Sequence, residues 1–170
     1  MKKVYSFALL VVCVLFATSC GSTAGLAGSS TASGSSVYSA GQSVGSSLKN
    51  IYSQYKTDGK FDATNLNNIL NIATLASNYN TLKETEKGSQ FYGDLIKGMI
   101  VGSSNLVQES TADKVKNGIV SSLSGVNLGT IINTAAQSAQ SSNTAKNVES
   151  AATEVSKISN SLTNIFSLFK

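Results

Sequence analysis

The chain has 170 residues, with 13 Lys+Arg, 9 Asp+Glu and two cysteines, and it contains no histidine, proline or tryptophan. All the basic residues are lysines, so no imidazole or guanidinium group is present to ligate a metal, relay protons or bind phosphate bidentately. The length suits one domain, and the inventory predicts a protein that is not an enzyme and has no cofactor or metal site.

The first twenty residues have the layout of a secretory signal. Lys2 and Lys3 precede an apolar run over residues 7–16, and the small or hydroxylated residues 17–19 lead to Cys20. The apolar run is shorter than the roughly 18 to 20 residues that a membrane-spanning helix needs. The pattern therefore predicts export and not a permanent transmembrane helix.

The residues around the predicted cleavage point, Ala17, Thr18, Ser19 and Cys20, resemble the lipobox of bacterial lipoproteins. Ala17 departs from the pattern, because that position most often carries leucine. The resemblance extends only over the signal and the acceptor cysteine, and it implies cleavage before Cys20 and lipidation of its thiol. Under the alternative of an ordinary secreted protein, Cys13 would be discarded with the signal and Cys20 would be a lone thiol in an oxidising compartment.

The segment after the cysteine predicts a tether. Residues 21–36 are rich in glycine and serine, carry no charge and include Leu26 as their one large apolar residue. Such a composition cannot form a core and is typical of a flexible linker. The expected organisation is a signal over 1–19, a lipidated cysteine and tether over 20–36, and a helical domain over 37–170.

In bacterial lipoproteins, the residues that follow the lipidated cysteine help to determine the membrane to which the protein is sorted. In lipoproteins of diderm bacteria an aspartate at that position often causes retention in the inner membrane, and in Bacteroidetes-like bacteria a nearby acidic cluster tends to mark surface export. Here Gly21 follows the cysteine, and the first acidic residue is Asp58. The resemblance therefore implies an outer-membrane lipoprotein that faces the periplasm.

From Val37 onward, apolar residues recur three or four positions apart, which is the spacing of amphipathic helices. Six stripes follow this spacing, over residues 37–55, 66–79, 88–108, 111–124, 128–135 and 148–169. There is no proline to break them and no long period-two run of β-branched residues. The sequence therefore predicts an all-α domain, a small bundle of five or six amphipathic helices.

Caps and inward positions can also be predicted. Asp62 or Thr64 is expected to cap the second helix, and Ser110 or Thr111 the fourth. The stripes place Leu66 on the buried side of the second helix and Phe91, Leu95 and Met99 on that of the third. The pairs Lys146 with Glu149 and Glu154 with Lys157 are expected to support the last helix. This last stripe can pack in the core, dock on a partner helix or contact lipid, and its few lysines favour the core.

Glycines four residues apart occur in three places, Gly41 with Gly45, Gly98 with Gly102 and Gly125 with Gly129. In membrane spans this spacing lets two helices approach closely. None of the three pairs lies in an apolar stretch long enough to span a membrane, so local close packing or a helix end is the favoured interpretation. Residues 95–107 are the best alternative candidate for a self-association face.

Two motifs resemble catalytic or metal sites but have simpler explanations. Ser46 with Lys49 and Ser53 with Lys56 match the S-x-x-K spacing of penicillin-recognising enzymes, but the K-T-G partner is absent. Residues 58–62 resemble part of an EF-hand loop without its carboxylates, and a glycine turn followed by an aspartate cap explains them.

The closest pair of carboxylates is Glu84 with Glu86, flanked by Lys83 and Lys87. A hydrolase with a carboxylate pair would use such residues, but the mixed charges favour a solvated segment. The lysines of the helical domain are scattered without a basic run, so no nucleic-acid partner is expected.

The sequence thus predicts a lipid-anchored cell-envelope protein with a non-catalytic structural or protein-binding role. The expected contacts are the membrane, through the anchor on Cys20, and either another envelope protein or a second copy of the chain. The alternative is a periplasmic carrier of a lipid or another apolar ligand. Cys20 is the one site residue that the sequence nominates.

Overall fold

The computed structural model describes residues 36–138 and 144–169. These ranges contain helices and no strand. In chain order the helices are α1 Ser36–Asp58, α2 Leu66–Ser77, α3 Tyr79–Glu84, α4 Tyr92–Gly102, α5 Glu109–Ser124, α6 Leu128–Ser138, α7 Thr144–Lys157 and α8 Ser159–Phe166. The predicted all-α bundle is confirmed, and two short helices, α3 and α8, accompany the six longer ones.

The N-terminus of α2 is capped by Asn65 and not by either of the predicted residues. The side chain of Asn65 accepts hydrogen bonds from the backbone N–H groups of Asn67 (2.9 Å) and Asn68 (3.4 Å). The predicted caps Asp62 and Thr64 are wrong, because Asp62 Oδ1 instead accepts from the backbone N–H of Thr64 at 2.8 Å. All three are good capping residue types, so composition alone could not select among them.

The predicted third helix is too long, because α4 ends at Gly102. Ser104 and Asn105 follow with φ angles of 54° and 66°, a left-handed conformation that no right-handed helix can contain. The hydroxyl of Ser103 accepts a hydrogen bond from the backbone N–H of Val107 at 3.0 Å and holds this turn closed. The turn redirects the chain into α5.

Helix α5 begins two residues earlier than expected. Gln108 occupies its N-cap position without a side-chain hydrogen bond to the helix, and Glu109 is the first helical residue. Ser110 and Thr111 therefore lie in the first turn, and the prediction that one of them caps the helix is wrong. The last predicted stripe is divided at Ile158, which separates α7 from α8.

The apolar stripes form one core that all the long helices share. Its largest fully buried side chains are Leu48, Ile51, Ile69, Ile72, Leu75, Leu82, Leu95, Met99, Ile119, Leu123, Ile131 and Ile158. Ile165 and Phe166 are also buried, so the final stripe packs in the core as favoured. Leu66 and Phe91 are 37% and 46% exposed, and their predicted inward positions are wrong, because both lie at helix starts where the stripe has left the core.

Helices α1 and α4 run parallel and form the most extensive contact between any two described helices. Gly41 lies against Leu95, and one turn later Gly45 lies against Met99. A Cβ atom at either glycine would overlap the carbonyl oxygen of the facing residue. The two backbones therefore touch directly, as glycines four apart allow.

The glycines of α4 contribute to the same interface from the other side. A Cβ atom at Gly98 would overlap the carbonyl oxygen of Tyr38, and one at Gly102 would overlap that of Gln42. The prediction of local close packing is confirmed for both pairs, and this face of α4 is covered by α1 of the same chain. Gly125 has open space around it and directly follows α5, which fits the predicted helix end.

The positions of the other elements can be given relative to the two ends of α1. We call the end at Ser36 the attachment end, because the chain continues from there towards Cys20, the predicted lipidation site, and we call the end at Asp58 the far end. Helix α2 runs back along α1 from the far end, and the Asn50 side-chain amide donates to Asn71 Oδ1 at 3.3 Å. No helix in the ranges 36–138 and 144–169 is both long and apolar enough to cross a membrane.

Candidate functional site

An open groove of about 410 Å³ lies at the far end, between α1 and α8. It is lined by Tyr52, Tyr55, Lys56, Gly59, Thr163, Phe166 and Ser167. Tyr52, Tyr55 and Lys56 are three and four residues apart on α1, so they share one face of that helix. We call this surface the aromatic groove.

The base of the aromatic groove is a cluster of four rings. The ring centroid of Phe166 lies 5.4 Å from that of Tyr52 and 5.3 Å from that of Tyr55. Phe169 completes the cluster at 5.2 Å from Tyr52 in an edge-to-face arrangement and at 5.7 Å from Phe166. These distances lie in the range that favours aromatic pairs, so stacked and edge-on rings form an apolar base.

The rim of the groove carries a cation and a tight turn. Lys56 Nζ lies 5.8 Å from the centroid of the Tyr52 ring, within reach of a cation–π attraction. Gly59 has a φ of 68°, and its backbone N–H donates to the carbonyl oxygen of Tyr55 at 2.9 Å. The hydroxyls of Thr163 and Ser167 donate to backbone carbonyl oxygens. The groove therefore suits a flat apolar group with a negative charge beside it.

A second open groove, also of about 410 Å³, lies where α7 passes the loop between α1 and α2. Its lining residues are Ala63, Thr64, Val148, Glu149, Ala152, Thr153 and Ser156. All but Glu149 are small or medium-sized, and none is aromatic. This groove has no ring cluster and no cation, so it is the less specific of the two surfaces.

A polar cluster joins α4 to α5. The hydroxyl of Tyr92 donates to Asp113 Oδ1 at 2.8 Å, and the Asn117 amide donates to Asp113 Oδ2 at 3.4 Å. The buried Lys116 donates from Nζ to Asn117 Oδ1 at 3.2 Å. Burial and the neighbouring Asp113 carboxylate raise the pKa of Tyr92 to about 12. This cluster could not be predicted, because nothing in the local sequence pairs Tyr92 with Asp113.

Replacing Tyr92 by phenylalanine tests this contact. We expect Tyr92→Phe to lower the free energy of unfolding by about 1.5 kcal/mol at neutral pH, the usual contribution of a hydrogen bond to a charged group. Folding raises the pKa of Tyr92, so its stabilisation is complete below the ordinary tyrosine value of 10.0 and is lost as the pH rises through about 12. The difference between the two proteins in urea unfolding should therefore shrink between these pH values.

Tyr79→Phe is the matched control, because Tyr79 is also half-buried and its ring has Lys83 Nζ 6.0 Å from its centroid. We expect a smaller loss of stability, because no hydrogen bond of the Tyr79 hydroxyl to a charged group is removed. An equal loss in the two variants would show that the bond between Tyr92 and Asp113 contributes nothing specific.

A carboxylate links α7 to the turn before α6. Glu154 Oε2 accepts from the backbone N–H of Asn127 at 2.8 Å, and Glu154 Oε1 pairs with Lys157 Nζ at 2.7 Å. The Asn127 N–H, followed by Lys157, lowers the pKa of Glu154. The predicted pair of Glu154 with Lys157 is confirmed, whereas the side chain of Lys146 lies outside the described residues.

The S-x-x-K motifs do not form catalytic pairs. Ser46 Oγ donates to the carbonyl oxygen of Gly102 at 3.2 Å, and Lys49 Nζ donates to Ser104 Oγ at 2.9 Å. Both side chains therefore tie α1 to the end of α4. Lys56, from the second motif, contacts the Tyr52 ring instead of Ser53.

The remaining predicted motifs have structural explanations. Gly59 forms the turn after α1, and Asp62 Oδ1 accepts from the Thr64 hydroxyl at 2.7 Å, which lowers the pKa of Asp62. Glu84 and Glu86 are both exposed. Within 36–138 and 144–169, no three His, Cys, Asp or Glu side chains come together as a metal site.

The predicted lipidation site, Cys20, lies outside the described residues, as do the signal and all but the last residue of the tether. Over residues 36–138 and 144–169 the structure defines an all-α bundle, with an open groove at the far end and another beside α7. Comparison with protein-family models, with curated proteins and with solved structures found no match for this chain.

Proposed function

We propose that the protein is a lipid-anchored component of the cell envelope whose helical domain binds another envelope protein without catalysis. The observation that carries the anchor is the lipobox-like sequence at residues 17–20, followed by a Gly/Ser-rich segment that leads directly into α1. The aromatic groove supports the binding role.

The position of the aromatic groove fits this proposal. Tyr52 lies about 24 Å along α1 from Ser36, at the usual helical rise, so the groove lies far from the point of attachment. A partner can therefore reach it while the lipid holds the other end of α1 near the membrane. Its ring cluster would receive an apolar side chain of the partner, and Lys56 would pair with a carboxylate of the partner.

The open shape of both grooves favours a protein partner over the alternative of a carried lipid. A site for a small apolar molecule usually surrounds most of the surface of its ligand. Open grooves that bury one side of a ligand would leave acyl chains in water. Lipid that remains with the purified protein in a one-to-one ratio would overturn the binding role and support the carrier.

Cys20→Ala tests the anchor. We expect this variant to leave the membrane fraction and to lose incorporation of labelled palmitate, because the acceptor thiol is gone. Cys13→Ala is the matched control, since that cysteine belongs to the predicted signal, and it should fractionate like the native protein. Unchanged processing and fractionation of Cys20→Ala would refute the lipoprotein proposal.

Chemical crosslinking in intact cells, followed by purification through a C-terminal tag, tests the binding role. We expect one envelope protein to be captured in stoichiometric amounts, and Lys56→Glu to reduce its capture by about tenfold, the effect of losing one close charge pair. Lys97→Glu makes the same charge change at an exposed position of α4 and should leave capture unchanged. Equal capture by the two variants would exclude the aromatic groove as the binding surface.

A further inference from the structure

We infer that the attachment end of the helical domain rests on the lipid bilayer, with the side chain of Phe91 inserted at the interface. This inference rests on the proposed lipid anchor at Cys20. It adds an orientation, in which the N-terminal ends of α1 and α4 contact the membrane and the aromatic groove lies at the opposite end of α1.

The packing of α1 on α4 places Phe91 at the attachment end. Gly98 lies level with Gly41, and the two helices run parallel. The start of α4 at Tyr92 is about 9 Å before Gly98, and the start of α1 at Ser36 is about 7.5 Å before Gly41. The two helices thus begin within a few ångströms of one another. Phe91, which directly precedes α4, shares this end with the point where the chain leads to Cys20.

Phe91 is a large apolar side chain that the fold leaves 46% exposed. The other large exposed apolar side chains lie elsewhere, since Leu66 is at the far end and Val101 is about 15 Å along α4 from Phe91. Phenylalanine is among the apolar side chains that proteins lying at the membrane interface bury at the boundary of headgroups and acyl chains. Of these three, Phe91 alone is placed to reach the membrane that holds the anchor.

The length of chain between the anchor and the domain keeps the bilayer within reach. Residues 20–35 would extend over at most about 55 Å, and a Gly/Ser-rich chain of this length has a root-mean-square span of about 20 to 25 Å. The attachment end is therefore held at a high effective concentration near the lipid surface. Under that condition a single aromatic side chain suffices to bias the orientation of the domain, although it could not recruit a free protein.

The charges around Phe91 indicate an apolar contact and not an electrostatic one. The preceding segment carries Lys83 and Lys87 together with Glu84 and Glu86, all four exposed, and Asp94 lies in the first turn of α4. These residues carry no excess of positive charge, so attraction to anionic headgroups adds little. The contact should therefore form equally well on a neutral membrane.

Single-tryptophan reporters test the orientation, because the chain contains no tryptophan of its own. The full-length protein, lipidated at Cys20, is reconstituted into phosphatidylcholine vesicles with brominated acyl chains, which quench nearby indoles. Phe91→Trp is the reporter, Gln90→Trp is a second reporter on the same exposed loop, and Leu66→Trp is the control at the far end. Thermal unfolding confirms that each variant is folded.

We expect bromine to reduce the emission of the reporters at 91 and 90 to about half, the effect of an indole that enters the interfacial region, and to leave the reporter at 66 unchanged. Added phosphatidylglycerol should not alter this ratio. If bromine changed the emission of all three variants by the same fraction, on vesicles that carry the protein, the proposed orientation would be overturned. The lipid anchor would not be contradicted by that result. Failure of the native protein to float with the vesicles would instead overturn the anchor, and with it the inference.

Discussion

Replacing Gly45 by alanine is expected to lower the free energy of unfolding by about 3 kcal/mol, near the upper end of overpacking effects. The added methyl group would overlap the backbone carbonyl oxygen of Met99 and would lie 2.7 Å from the backbone nitrogen of Ser103. Because both atoms belong to the main chain of α4 and the turn after it, no side-chain rotation can relieve the overlap. The two helices must separate, and the buried contacts of Val44 and Leu48 weaken with them.

Gly93→Ala is the matched control for this substitution. Gly93 also lies in a helix of this interface, α4, but nothing lies within 4 Å of a Cβ atom built there. Alanine is a better helix former than glycine, so we expect the free energy of unfolding to rise by about 0.5 to 1 kcal/mol. Urea unfolding followed by far-ultraviolet circular dichroism measures both variants. Effects of the same sign and size would contradict direct backbone contact between α1 and α4.

Phe166→Ala is expected to cost about 3 to 5 kcal/mol, as is usual for the removal of a buried phenylalanine ring. Phe166 is 4% exposed and is the ring that contacts Tyr52, Tyr55 and Phe169. Its loss leaves a cavity under the aromatic groove and removes the ring contacts of α8 with Tyr52 and Tyr55 of α1. Denaturant unfolding should therefore show a much lower midpoint with an unchanged slope.

Ser167→Ala is the control for Phe166→Ala, because Ser167 is the exposed neighbour whose hydroxyl donates only to the Asn164 carbonyl oxygen. We expect a change within about 0.5 kcal/mol, as for most surface substitutions. A loss below about 1 kcal/mol for Phe166→Ala would mean that the ring cluster does not hold α8 in place.

Helix α1 links the two regions on which the proposed function depends. The helix has 23 residues and a length of about 34 Å, and it connects the attachment end to the aromatic groove. Its close packing on α4 makes the first half of this connection rigid. Under the proposed function, a partner that binds at the far end would therefore be held at a defined distance from the attachment end.

The fold was predictable where a long stripe of apolar residues continued without interruption. The stripe over residues 37–55 predicted α1, because its members repeat over several turns. Periodicity does not show where a helix begins or ends, so the prediction puts Phe91 and Leu66 on the buried side although both lie at helix starts. The left-handed turn at Ser104 and Asn105 also has no periodic signature.

Contacts between distant parts of the chain were the least predictable features. The spacing of Gly41 and Gly45 indicated close packing, but nothing in it identified Leu95 and Met99 as the facing residues. The aromatic groove could not be predicted for the same reason. Tyr52 with Tyr55 and Phe166 with Phe169 are visible in the sequence as aromatic pairs three residues apart, yet only the fold brings the two pairs together.

The most direct test of the proposed lipid anchor is the intact mass of the protein isolated from the envelope of cells that express it. We expect a chain that begins at Cys20 and carries additional mass equal to a diacylglyceryl group, with or without a further acyl chain on the new amino terminus. A chain that begins at any other residue, or one that begins at Cys20 with an unmodified thiol, would contradict the proposal that this helical domain is held to the membrane by lipid.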